Sequence, residues 1–172
     1  VSGASQVTLS AWVRTNGRTG DEQHILSFSI GDGNARASRS AIMISDSLAP
    51  RVVARTSRGA EGMPVVTGND SLAVNRWHYF SAVIDYPRDS MYIYIDGERR
   101  DARPNTPIVF GAGITETAPS LFSSIGAEDD GYDSFFRGMI DEARVSTTRR
   151  SAQWIRLSYR TQKPGSSVVT VE

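Results

Sequence analysis

Asp85-Tyr86-Pro87-Arg88-Asp89-Ser90-Met91-Tyr92-Ile93-Tyr94-Ile95-Asp96-Gly97-Glu98, preceded by Trp77-His78-Tyr79-Phe80, is the most informative stretch of this chain. Met91, Ile93 and Ile95 alternate with Ser90, Tyr92 and Tyr94, the period-two pattern of a strand with one apolar face. Asp96-Gly97 supplies the positive φ that a tight hairpin turn demands. The spacing predicts that Trp77 to Asp85 and Met91 to Asp96 pair across a loop containing Pro87.

Working outward, the same grammar repeats. Val7, Leu9, Ala11 and Val13 alternate with Thr8, Ser10, Trp12 and Arg14, a half-buried strand ending at Asn16-Gly17. Ile25 to Ile30, Ala41 to Ser45, Arg51 to Thr56, Val65-Val66, Leu121 to Ile125 and Gly138 to Ser146 read as further strands, with a turn at Ser47 to Pro50. Arg103 to Pro119, rich in proline, glycine and threonine, reads as a long connection. Many short strands separated by turn residues predict an all-β sandwich or jelly roll. One segment is helical in pattern: Ser151 can cap Ala152 to Tyr159, with Trp154, Ile155, Leu157 and Ser158 near one stripe. Val168 to Val171 can add a final strand.

A length of 172 residues suits one domain spanning 1–172, and 39% hydrophobic content is ordinary for a globular protein. No apolar run approaches the ~20 residues of a membrane span, so membrane insertion is not expected. The chain opens almost within a strand, without a signal-peptide pattern, and reads as a module excised from a larger protein. Nineteen basic residues balance nineteen acidic ones, so no global field draws the domain to nucleic acid. Cysteine is absent, which removes disulfides and thiol chemistry. Every Lys/Arg position except Lys163 is arginine, and Arg36, Arg39, Arg51, Arg55 and Arg58 gather in a short stretch that could form a local anion patch.

The Trp77-His78 segment, the Tyr94-Ile95-Asp96-Gly97-Glu98 hairpin and the later Gly138-Met139-Ile140-Asp141-Glu142-Ala143-Arg144-Val145 together resemble bacterial laminin-G-like, pentraxin-like modules of the concanavalin A-like lectin/glucanase superfamily. The resemblance extends to the opening strand Val7 to Thr15, to Phe136-Arg137-Gly138, and to the ending Arg150 to Gln162. It implies a concanavalin A-like jelly roll with one short C-terminal helix. It also implies a non-catalytic recognition module of an exported, cell-surface or periplasmic bacterial protein, with a glycan or polysaccharide as partner. A structural or protein-adhesion spacer, with a cell-surface protein as partner, is the alternative, and a divergent glycan-active enzyme is a third reading.

Catalytic patterns are thin. Glycosidases of this fold carry carboxylates alternating along one strand so that acid and nucleophile share a face. Here Asp141 and Glu142 are adjacent, which on a regular strand puts them on opposite faces. His24 and His78 lie in strand-like surroundings without a serine nucleophile motif. Gly31-Asp32-Gly33 lacks the lysine and helix of a phosphate loop.

Glu128-Asp129-Asp130 concentrates hard oxygen ligands on a glycine-bounded loop. Pentraxins have an acidic loop at a similar place together with an early Asp-Asn pair, and Asp32 and Asn34 occupy a comparable position. The resemblance therefore implies a calcium site at the sandwich rim, with an unliganded acidic turn as the alternative. Asp141 is a separate calcium candidate, because glucanases of this fold hold an ion against a late-strand aspartate; otherwise it would pair with an arginine such as Arg144. For the ligand face, Tyr92 and Tyr94 must stand opposite the apolar side of their strand, with Trp12 beside them. They form a sugar-stacking platform if displayed and a second core layer if the helix or the long loop covers them.

Overall fold

The structure is a computed structural model that describes residues 1, 3–29, 38–55, 65–102, 108–110, 113, 122–128 and 133–166. Its strands are β1 (Gln6–Thr15), β2 (Gln23–Ser29), β3 (Ser38–Ile44), β4 (Pro50–Ala54), β5 (Val65–Thr67), β6 (His78–Asp85), β7 (Ser90–Ile95), β8 (Glu98–Arg99), β9 (Phe122–Ile125) and β10 (Gly138–Ser146). They form two five-stranded antiparallel sheets, β10-β1-β6-β7-β8 (sheet A) and β5-β4-β3-β2-β9 (sheet B). The fold is the expected antiparallel β sandwich with one C-terminal helix, α1 (Ala152–Gln162).

Alternation decides what lies between the sheets. Val7, Leu9, Ala11 and Val13 of β1 face Phe80, Ala82 and Ile84 of β6 and Met91 and Ile93 of β7 on the inner side, and Leu26, Ile42, Ile44, Val52 and Val66 close the core from sheet B. A register irregularity between His24 and Leu26 turns Ile25 inward beside Leu26, so two consecutive residues of β2 enter the core. Tyr86, on a single 3-10 turn between β6 and β7, packs its ring 4.7 Å from that of Phe110.

The hairpin turn after β7 has the expected chemistry. Asp96 at φ 53° and Gly97 at φ 81° both occupy the left-handed region. Asp96 also accepts from the Tyr79 backbone N–H and lies 2.9 Å from His78 Nδ1, locking the turn to β6. A side chain at Gly97 would meet Arg156 Cα and the Tyr159 ring at 3.2 Å, because α1 rests on this turn. The turn leads into the short β8, whose Glu98 pairs with Ile95 as a hairpin over Tyr94 to Glu98 requires.

Helix α1 begins at Ser151, whose hydroxyl accepts from the Trp154 N–H as the cap pattern requires. Its buried side is Ile155 and Ser158, flanked by Trp154 and Tyr159, and it lies on the outer face of sheet A. Leu157, expected near that stripe, is instead 53% exposed: it stands two residues from Ile155, on the opposite side of the helix. Most of Arg103 to Pro119, and all of Val168 to Val171, lie outside the described residues.

A buried carboxylate joins the segments that carry the helix. Asp85, fully buried at the end of β6, accepts from Arg88 Nη1 (3.0 Å), Arg149 Nη1 (3.2 Å) and Gln6 Nε2 (3.3 Å).

Candidate functional site

The two outer faces of the sandwich differ. On sheet A, cross-strand pairing lines up Asp141, Trp12 and Tyr79, while Tyr92 pairs with Val83 and Tyr94 with Ser81. Trp12, Tyr79, Val83 and Tyr94 form one cluster with Ile155 of α1, and Tyr92, Trp154 and Tyr159 pack at its edge. Trp12 and Tyr94 are each only 8% exposed, so α1 covers them and the second-layer arrangement is the one present. Burial raises the Tyr94 phenol pKa. Tyr92 is half-buried, with the Arg99 guanidinium 4.5 Å from its ring centre. Trp12, Tyr92 and Tyr94 thus share the outer face of sheet A, but β6 separates Trp12 from the two tyrosines, its ring packs on Tyr79 and Tyr159, and the three make no open platform.

Beside α1, an edge of Trp12 joins Trp77, Asp141, Glu142, Arg144, Gln162 and Pro164 around a groove of about 400 Å³. Asp141 and Glu142 line this same groove although they are adjacent in β10, which corrects their assignment to opposite faces. The physical reason is a bulge: the pairing shifts between Ser10 and Trp12, and Glu142 sits at φ 50°. Arg144 pairs with Glu142 rather than with Asp141, whose Oδ1 accepts the Glu142 N–H.

On sheet B, the ladder sets Thr67, Arg51, Met43 and His24 in one row across β5, β4, β3 and β2. Val65, Val53, Ala41, Ser27 and Ser124 form the next. Ala41, Met43 and Val53 make a small apolar cluster here, outside the main core. Over it opens a recess of about 290 Å³, with Met43, Val53 and Val65 as apolar wall and Arg51, His24 and Ser134 as polar wall. Four carboxylates also border it, Asp21, Glu22, Glu128 and Asp133. The volume lies near the lower end of the ~300–1,000 Å³ common for small-molecule sites, and the mixture of apolar surface with a few converging polar groups fits such a site.

Local structure holds these groups in place. His24 N–H donates to the Ser134 carbonyl (2.9 Å), and the Glu128 N–H donates to the Asp133 carbonyl (3.1 Å). Gln23 accepts from the Arg137 N–H (2.9 Å), so the segment 133–137 is pinned along the start of β2. Arg51 Nη1 lies 3.4 Å from Glu22 Oε2. His24, 2% exposed, has its Nδ1 2.7 Å from Ser27 Oγ, while its Nε2 is buried without a hydrogen-bond partner among the described residues. Burial lowers the imidazole pKa to about 4, against the opposing pull of Asp133 and Asp21, so His24 is neutral at pH 7.

Of the calcium candidates, Asp32, Asn34, Asp129 and Asp130 lie outside the described residues. Glu128 borders the recess on sheet B, whereas Asp141 lines the groove on sheet A, so these two cannot share an ion. Among the described residues no three carboxylate, imidazole or thiol groups converge closely enough to hold a metal. The residues that sequence reading missed as a constellation are Asp21, Glu22, His24, Arg51 and Asp133. Arg51 was noted only within an arginine-rich stretch, and their convergence depends on cross-strand register, which no local pattern displays. Trp77 was noted only as a motif residue; its partial exposure beside Trp12 is a tertiary fact.

Solved structures share this fold at low identity. A carbohydrate-binding candidate of Bacteroides ovatus matches at 18% identity over 90% of this chain and 41% of that one, TM-score 0.64. The chain therefore spans less than half the length of that protein. A heptameric SAP-like pentraxin of Limulus polyphemus matches at 14% identity over 95% of this chain and 74% of that one, TM-score 0.64. The CBM40 of the Ruminococcus gnavus IT-sialidase, solved bound to α2,3-sialyllactose, matches at 16% identity over 90% of this chain and 83% of that one, TM-score 0.67. No curated protein matches the sequence. Residues 1–156 match the laminin-G-type family described as the concanavalin A-like lectin/glucanases superfamily, and with most of its length so matched the chain belongs to that superfamily.

Proposed function

We propose that this is a non-catalytic carbohydrate-recognition module of an exported or cell-surface bacterial protein, binding its glycan in the recess on sheet B. The observation that carries the reading is a recess walled by Met43 and Val53 on one side and by Arg51, Ser134 and His24 on the other, where the buried His24 Nε2 has no hydrogen-bond partner among the described residues. An orphaned buried polar atom costs about 1–3 kcal/mol, a cost that a ligand hydroxyl removes. The Bacteroides and Ruminococcus structures, described as a carbohydrate-binding candidate and as sialyllactose-bound, support the choice of ligand class. The absence from the sequence of carboxylates alternating along one strand supports binding without cleavage.

Calcium belongs to the proposal at the acidic loop, where Glu128 would act with Asp129, Asp130, Asp32 and Asn34. A hard cation there would neutralise the three consecutive carboxylates of Glu128-Asp129-Asp130. The deciding experiment is a glycan array probed with and without calcium, followed by titration of any hit against Arg51→Ala and His24→Leu. Absence of binding to every glycan, in both conditions, sinks the proposal. The second reading, a protein-adhesion spacer, is favoured by the exposed Met139 and Val145 on β10 and the exposed Phe135 just before it. A pull-down against candidate surface proteins separates it from the first.

A further inference from the structure

The charge of the recess narrows the ligand class. Among its described lining residues, the carboxylates of Asp21 and Asp133 stand beside a single guanidinium, Arg51, whose charge is matched by its pairing with Glu22. His24 adds no positive charge at neutral pH. Clefts lined by one sign of charge with low-dielectric walls concentrate their field, and here the field is negative.

The neutral imidazole can carry its proton on either nitrogen. With the Ser27 hydroxyl donating to Nδ1 across their 2.7 Å contact, the proton sits on Nε2, a buried donor without a partner among the described residues, on a side chain that lines the recess. The site then offers one buried donor among several acceptors. A sugar hydroxyl matches this arrangement, because it accepts from Nε2–H through a lone pair and donates its own proton to a carboxylate. A sugar carboxylate can accept but has nothing to donate, and it enters against the local field.

Resting on the carbohydrate-binding reading above, we infer that the recess selects neutral, hydroxyl-rich sugars and excludes carboxylate-bearing ones such as sialic and uronic acids. The sialyllactose seen with the Ruminococcus CBM40 is therefore the wrong ligand class for this chain, despite the common fold.

The test uses the whole chain in calcium-free buffer and matched sugars differing by an acidic residue: lactose against 3′-sialyllactose, and neutral gluco-, galacto- and xylo-oligosaccharides against oligogalacturonates. Neutral members should bind at least about tenfold more tightly than their acidic partners. The gap should shrink at high salt and in Glu22→Gln/Asp133→Asn, which lowers the negative charge. His24→Leu should abolish neutral-sugar binding, whereas His24→Gln, which keeps an N–H donor, should retain part of it. Equal or tighter binding of acidic sugars by the unaltered protein overturns the inference while leaving carbohydrate recognition standing. Neutral-sugar binding that survives both His24→Leu and Glu22→Gln/Asp133→Asn unchanged places the ligand elsewhere and likewise overturns it. No binding to any sugar removes both readings.

Discussion

Trp12 and Gln162 are joined by a hydrogen bond across 150 positions of sequence, the indole N–H donating to the amide oxygen at 2.8 Å. The ring lies 5.5 Å from Tyr79 and 5.7 Å from Tyr159, so strand, neighbouring strand and helix meet on one side chain. This makes the outer face of sheet A a structural seam. Tyr94→Ala and Ile155→Ala should each cost about 2–5 kcal/mol, the range for emptying a packed apolar site, as measured by denaturant unfolding. Neither should alter glycan affinity once the folded fraction is accounted for. A loss of affinity without a loss of stability would return the ligand to this face.

The carboxylate of Asp85 has a comparable role at the other end of the helix. Two guanidiniums and an amide converge on one of its oxygens while the carboxylate is shut from solvent. Asp85→Asn should destabilise by about 2–3 kcal/mol, less than a fully enclosed ion pair because Arg88 and Arg149 remain partly hydrated once released. A double-mutant cycle with Arg149→Gln should show coupling of about 1 kcal/mol or more. Strict additivity would mean that the pair contributes nothing.

His24 gives a pH dependence whose sign is fixed. Its folded pKa, about 4, lies below the unfolded value near 6.5, so between these limits the unfolded chain binds more protons. The stability associated with the neutral ring is complete above pH ~6.5 and is lost as pH falls toward 4, a total of roughly 2–4 kcal/mol. Chemical denaturation across pH 4–7 should show this slope, and His24→Gln should flatten it. An equal slope in the variant would assign the effect to other groups.

Calcium is expected to raise Tm by mass action on the folded state. Asp129→Asn/Asp130→Asn should abolish that rise, whereas Asp141→Asn should leave it intact, because Asp141 lies on sheet A while Glu128 borders the recess on sheet B. A Tm indifferent to millimolar calcium in metal-stripped protein would remove calcium from the account.

Strand positions were legible because the period-two signal is strong where one face is buried, as in Val7 to Val13 and Met91 to Ile95. The boundaries of β10 agree with the expectation to the residue, and the Ser151 cap is present as read. Two kinds of information were not local. The bulge at Glu142 inverts the face of one carboxylate, and no residue type announces it, since Glu at positive φ is imposed by pairing. The recess arises because Arg51, Met43 and His24 fall in register across three strands, a fact about alignment between positions 8 to 27 apart in the sequence.

The placement of β1 in sheet A has a consequence for how the chain comes to be folded. Its ladder partners are β6 and β10, so Gln6 to Thr15 pair with residues 78–85 on one side and 138–146 on the other. During synthesis this apolar strand emerges first and stays without its second neighbour until nearly the whole domain has been made. Such non-local pairing slows folding and prolongs exposure of sticky backbone edges, so nascent chains truncated before β10 should need chaperone protection that the complete domain does not.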